Sequence, residues 1–224
     1  MILTQWINFS GYTFTELSLY FGGMAFWFWT YFILIKNTKH KFVEMPVIIA
    51  AANVAWEFDY GFLFDLGLGD LMQWLYRAGA IMDFYIFYFV IMYGSKQVTT
   101  PWLKKHFKPI IISAFFIWGI LIYAFNKTGY DLPLGSHSAY WINLMISTLY
   151  IVDILRTKYF KFYSFNAGIG KMFGTGLITV FCFVKYPTNY FVQVAGVLCF
   201  ILDFSFLVLF KYREKKEKLN SWIL

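Results

Sequence analysis

Seven blocks of apolar residues divide this sequence, at about 17–35, 46–66, 71–93, 110–125, 141–155, 166–184 and 190–210. A helix crosses the hydrocarbon core of a bilayer in about 17–25 residues, so most of these blocks are long enough to span it, the fourth and fifth being short. Within each block the apolar residues run together instead of recurring on one face, which separates them from the amphipathic helices of a soluble core. Composition agrees, with only 14% of the 224 residues charged, where a soluble domain carries roughly a quarter. The expectation is an all-α, polytopic integral membrane protein, with residues 1–224 forming one domain of seven transmembrane helices.

The basic residues give the orientation. The links at 36–42, 94–109 and 156–163 and the tail from 211 hold three, four, three and five lysines and arginines, while the N-terminal stretch and the other three links hold Lys127 and Lys185. Cytoplasmic loops carry the excess of Lys and Arg, so the N-terminus is expected outside or in the lumen and the C-terminus in the cytoplasm. The same distribution explains the net charge of +7 as membrane topology, and nucleic acid is not an expected partner. The opening "MILTQWINFSGYTFTE" has neither a basic residue nor a cleavage-site pattern and reads as a retained tail. Localisation follows as multi-pass, in a bacterial inner membrane or the endoplasmic reticulum. Pro101 and Pro109, between the third and fourth blocks, are expected to break any continuous helix there.

Against this background "NVAWEFDY" at 53–60 stands out, because it sets Glu57 and Asp59 inside an apolar block. Asp83, Asp153 and Asp203 are also intramembrane acids. A charge at mid-membrane costs about 2.5–3.5 kcal/mol on insertion scales, so each needs a partner, a wet cavity or a proton. At about 1.5 Å per residue, Glu57, Asp83 and Asp203 lie roughly 16, 15 and 10 Å from the cytoplasmic ends of their spans. Comparable depth would let the three line one chamber. Asp153, beside Arg156, looks peripheral. Arg77 matches the depth of Asp59 and Asp65, and an arginine–aspartate pair between neighbouring spans is the structural explanation for one of them. Lys171, near the cytoplasmic start of the sixth span, can snorkel. Glu57 and Asp203 have no evident basic partner.

A carboxyl in an apolar site holds its proton, because desolvation disfavours the ion, and a held proton makes a general acid. Asn53 stands one turn before Glu57 on the same face, Tyr60 continues that face, and Trp56 lies beside it. Aromatic residues make 24% of the chain, and while most belong to the core and the lipid face, π-systems also stabilise cations without attacking them. An acid among aromatic rings suits carbocation chemistry. The small residues of "NAGIGKMFGTG" at 166–176 read as close helix packing. His40, His106 and His137 have no metal-ligand spacing, and Cys182 and Cys199 no redox spacing.

"NVAWEFDY" in the second span together with "LCFILDFSF" in the last resembles the integral-membrane terpene cyclases of fungal meroterpenoid and indole-diterpene pathways, which have bacterial relatives. Asn53, Trp56 and Glu57 match the family's Asn-x-x-Trp-Glu motif, Asp203 matches its last-span acid, and "VDILRTK" at 152–158 is similar to its acid-then-arginine segment. The resemblance implies a seven-span, non-oxidative cyclase that needs no metal and no cofactor. It would protonate a lipophilic polyprenyl substrate, epoxidised or not and aryl-linked or not, and close rings through carbocations. Glu57 and Asp203 would be the catalytic acids, with Asn53, Trp56 and Tyr60, and more weakly Asp83 and Arg77, as substrate-binding or orienting residues. The aspartate-rich metal motifs of soluble terpene synthases are missing, as are those of membrane prenyltransferases. The alternative is a small seven-span carrier of a vitamin or sugar-like solute, using the same residues as a midplane site. The last span has no lysine for a retinal Schiff base, and nothing fixes the oligomeric state.

Overall fold

A computed structural model describes residues 6–158 and 160–221. Among them there is no strand, and the long elements are α1 (Phe14–Asn37), α2 (Ala50–Phe58), α3 (Asp70–Tyr93), a short α4 (Pro101–Lys105), α5 (Phe107–Lys127), α6 (Ser136–Arg156), α7 (Phe165–Lys185) and α8 (Tyr190–Ser221). Six of these, α1, α3 and α5 to α8, are long and apolar enough to cross a membrane.

The second span departs from the expected 46–66. The helix α2 has nine residues and passes at Asp59 into a five-residue π-turn, Asp59–Leu63. It still runs from one end of the bundle to the other, as its flanking contacts show. Before it, Gln97 donates to the Val43 carbonyl, and Glu44 accepts from Asn37 and from the Ser164 backbone. After it, Asn8 donates to Gly67, and Tyr60 bonds to Asp131. All four connections rich in lysine and arginine therefore gather at one end, called here the basic end, where Arg213 also donates to the carbonyls of Ile154 and Thr157. Residues 8–13, 64–69, 128–135 and 185–189 gather at the opposite end.

The fourth and fifth spans are not short, since α5 and α6 each have 21 residues. Their first and last turns carry polar residues that end a hydropathy block without ending a helix. Pro101 opens α4 at its first turn, and Pro109 sits in the first turn of α5, where a missing N–H deprives no carbonyl of a partner. The start of α1 is fixed by a capping box, in which Thr13 Oγ1 accepts from Glu16 N and Glu16 Oε2 accepts from Thr13 N at 2.6 Å.

The most enclosed of the long helices is α7, and α5 is the outermost. The stretch at 166–176 does pack helices closely. A Cβ on Gly23 of α1 would lie 2.9 Å from the Gly174 carbonyl oxygen, and one on Gly174 would lie 3.2 Å from that of Gly23. Small faces allow the backbones of α1 and α7 to touch, which is how membrane helices gain contact without a hydrophobic drive between them. Across α7, Gly168 makes the same kind of room for Phe206 and Leu207 of α8.

Candidate functional site

Five helices, α1, α2, α3, α6 and α7, surround a partly open cavity of about 100 Å³. One face of α1 contributes Tyr20, Met24, Trp27, Phe28 and Tyr31, at spacings of three, four or one. Asn53, Trp56 and Glu57 come from α2, Tyr76 and Gly79 from α3, and Leu134, Ser136 and Ala139 close the side nearest the 128–135 loop. Tyr140, Ile142, Asn143, Thr175 and Ile178 complete the far wall.

Among the described residues Glu57 is the one acidic residue that lines the cavity, and it is half-buried. Its Oε1 accepts from the Tyr31 hydroxyl at 2.7 Å. Asn53 Nδ2 donates to the Tyr31 oxygen at 3.2 Å and to Asp83 Oδ2 at 2.9 Å. Asn53 and Glu57, one turn apart on the same face, are thus linked indirectly, through a tyrosine that the sequence did not mark. Both Asn53 N–H groups are committed, so Asn53 holds Tyr31 in a fixed orientation toward the acid. No hydrogen bond to Glu57 Oε2 is present among the described residues, and this oxygen lies against Gly79, where an added Cβ would come within 3.2 Å. No basic side chain belongs to the network. Asp83 is buried behind Asn53 and does not line the cavity.

Asp203 differs from the expectation. Its two carboxylate oxygens lie 2.7 and 2.8 Å from Lys171 Nζ, which also donates to Ser147 Oγ at 2.5 Å. Both charged groups are buried, so Lys171 does not snorkel. Asp203 is therefore an ion-paired carboxylate outside the cavity lining, and it does not share a chamber with Glu57. Desolvation is what drives the pairing, because either charge alone at that depth would be far costlier than the pair.

Arg77 also differs. Its Nε donates to the Gly61 carbonyl at 3.1 Å and its guanidinium lies 4.8 Å from the Trp74 ring centroid, so it satisfies the irregular π-turn and pairs with neither Asp59 nor Asp65. Asp59 is buried, and its Oδ2 has no hydrogen-bond partner among the described residues. Tyr60 stands outside the lining too. Its hydroxyl donates to Asp131 Oδ2 at 2.8 Å and accepts from Asn126 Nδ2 at 2.9 Å.

Asp131, which the sequence did not single out, organises this end of the cavity. Its Oδ1 accepts from the backbone of Leu132 and His137, and its Oδ2 accepts from Tyr60 and the Ser138 hydroxyl. Ser138 Oγ in turn accepts from Trp56 Nε1 at 2.9 Å, with the Gly135 carbonyl at 3.3 Å from the same N–H. Gly135 has φ 68°, and its α-carbon faces the Tyr60 ring so closely that a side chain has no room. The Trp56 indole, held by its N–H, packs at centroid distances of 4.9 Å from Tyr60 and 5.7 Å from Tyr76. The Trp56 ring is in this way fixed on the cavity wall.

Fold and site together define a polytopic membrane protein that encloses an aromatic cavity with a single carboxyl on its wall. A family model described as Pyr4-like transmembrane terpene cyclases matches residues 7–216. The chain is also 24% identical, over 86% of its own length and 84% of the other's, to the Pyr4-family terpene cyclase mfmH of Annulohypoxylon moriforme. No solved structure matches. The chain belongs to the Pyr4-like transmembrane terpene cyclases, and the solute-carrier alternative is set aside on that ground.

Proposed function

We propose that this membrane terpene cyclase starts its reaction by proton transfer from Glu57 to an epoxide oxygen or an alkene of a polyprenyl substrate. The cation so formed is attacked by the next double bond, each ring closure passing the charge along the chain, until loss of a proton ends the cascade and makes the net reaction an isomerisation. Orientation and fixed dipoles supply the catalysis. The observation that carries this reading is the environment of Glu57, a carboxyl on an aromatic cavity wall with a tyrosine hydroxyl on one oxygen and no basic neighbour in its network. The Tyr31 hydroxyl stabilises the carboxylate that remains once the proton has left, and Asn53 keeps that hydroxyl aimed. Trp56, Tyr76 and Trp27 offer ring faces to the migrating charge. Asp83 supports Asn53, while Tyr60 and Arg77 act on the framework and not on the reacting atoms.

Asp203, tied to Lys171, serves the wall formed by α6 and α7 and donates no proton in this scheme. The test is Glu57→Gln in membranes supplied with candidate prenyl substrates, with products extracted and identified. Loss of cyclisation by about 100-fold or more is expected. Wild-type turnover by a folded Glu57→Gln protein would sink the donor assignment.

A further inference from the structure

Between α6 and α7 runs a ladder of three polar pairs. Ser147 Oγ meets Lys171 Nζ at 2.5 Å, Asn143 Nδ2 donates to Thr175 Oγ1 at 2.8 Å, and Tyr140 and Thr179 share a bond at 2.8 Å. The residues recur every three or four positions on each helix, so the pairs stack along one seam. The lower rung is anchored by Asp203 and the upper by the Thr179 bond to the Thr175 carbonyl. The middle rung reaches the cavity, since both Asn143 and Thr175 line it.

That rung is incomplete. Thr175 engages the amide nitrogen, while Asn143 Oδ1 is buried with no hydrogen-bond partner among the described residues. Other polar groups of the wall find partners within it, as Tyr20 does in Tyr76 and Trp56 in Ser138. An acceptor held by its own amide and left unmet in an apolar wall is costly unless something else supplies a donor. A hydrocarbon chain has none to give.

We propose that Asn143 is a subsite for a hydroxyl or N–H group on the substrate, with Oδ1 accepting that hydrogen bond while Glu57, on α2, faces the reacting end. This rests on the isoprenoid reading above and adds to it that the substrate is a prenyl chain bearing a hydrogen-bond donor, and not a bare polyene. Thr175 is the positioning residue, because its hydroxyl accepts from Nδ2 and holds the amide against α7. The seam explains why a polar rung is sited here. Lys171, which donates to both Ser147 and Asp203, ties α6, α7 and α8 together one turn away.

The experiment compares farnesol with farnesyl methyl ether, in which a methyl group replaces the donor hydrogen, binding to the purified full-length protein in detergent and read by quenching of intrinsic tryptophan fluorescence. Wild type should bind the alcohol about 3- to 10-fold more tightly, the size of one neutral hydrogen bond. Asn143→Leu should bind both as wild type binds the ether, and Asn143→Ala replaces it should the leucine variant fail to fold. Glu57→Gln should keep the preference. Equal binding of the two probes by wild type overturns the subsite, and so does a preference that survives both Asn143 substitutions. A preference abolished by Glu57→Gln but kept by Asn143→Leu overturns it too, making the acid the acceptor. If neither probe binds wild type, the isoprenoid cavity itself is wrong and the subsite falls with it.

Discussion

Lys171 Nζ sits within 2.8 Å of both carboxylate oxygens of Asp203, between α7 and α8 and away from the cavity that holds Glu57. The two intramembrane acids that the sequence treats alike are therefore in opposite electrical situations. Asp203 shares its site with a cation and has its charge balanced. Glu57 has only neutral donors around it. Of the two, Glu57 is the one that faces the cavity.

Lys171→Met alone leaves Asp203 buried without its cation, and loss of about 3–5 kcal/mol of stability is expected. Asp203→Asn alone should cost a similar amount. Combining Lys171→Met with Asp203→Asn removes both charges and should recover much of the loss, as a thermal-unfolding double-mutant cycle in detergent would read. Cyclisation in the single variants should fall in step with the folded fraction. A folded, stable Asp203→Asn protein without activity would instead return Asp203 to the reaction.

Tyr31→Phe removes the donor to Glu57 Oε1 and leaves the ring in place. The expected effect is a fall of about 10-fold in kcat, the size of one hydrogen bond formed more strongly to the developing carboxylate, with KM little changed. Steady-state kinetics against Glu57→Gln would check the order, since the tyrosine should matter much less than the acid.

Asp131→Ala should loosen the loop at 128–135, because five donor groups lose a shared acceptor at once. Trp56 then loses the fixed position of Ser138, and water gains access to the cation. Partly cyclised alcohols, formed when water captures an early cation, are expected to rise as a share of product. Product analysis by mass spectrometry reads that share independently of total turnover. An unchanged product ratio would mean that the loop does not shield the reaction.

Glu44, in the connection before α2 at the basic end, is buried, and burial pushes its carboxyl from 4.5 up to about 8, although the Ser164 backbone and Asn37 donate to it. The folded protein therefore binds a proton there that the unfolded chain releases. Stability from this group is full below about pH 4.5 and declines as pH rises toward about 8. Glu44→Gln should flatten that part of the Tm-versus-pH curve. A curve for Glu44→Gln that parallels wild type across the window would show that Glu44 is not its cause.

The cavity's acid was legible in the chain because Glu57 interrupts an apolar block, and a charge in oil has few explanations. The Lys171–Asp203 pair was half legible. At about 1.5 Å per residue both lie roughly 10 Å from the basic ends of their spans, but depth alone does not say which helices are neighbours. Asn143 stood alone as the amide in "YWINLMIS" and gave a signal of the same kind as Glu57. Tyr31 gave none, being one of 17 tyrosines in a chain where most serve packing. Asp131 lies in a loop, where an acid needs no explanation.

What the sequence determined by itself was the set of spans and the sorting of their links, since both follow from the transfer of local segments between water and lipid. It also marked the acid that lines the cavity. The tertiary structure decided which helices touch, how short the second span becomes when it ends in a π-turn, and which of two similar acids meets a cation. Those outcomes depend on the angular position of side chains around helices packed from distant parts of the chain, and no local property of a segment encodes that angle.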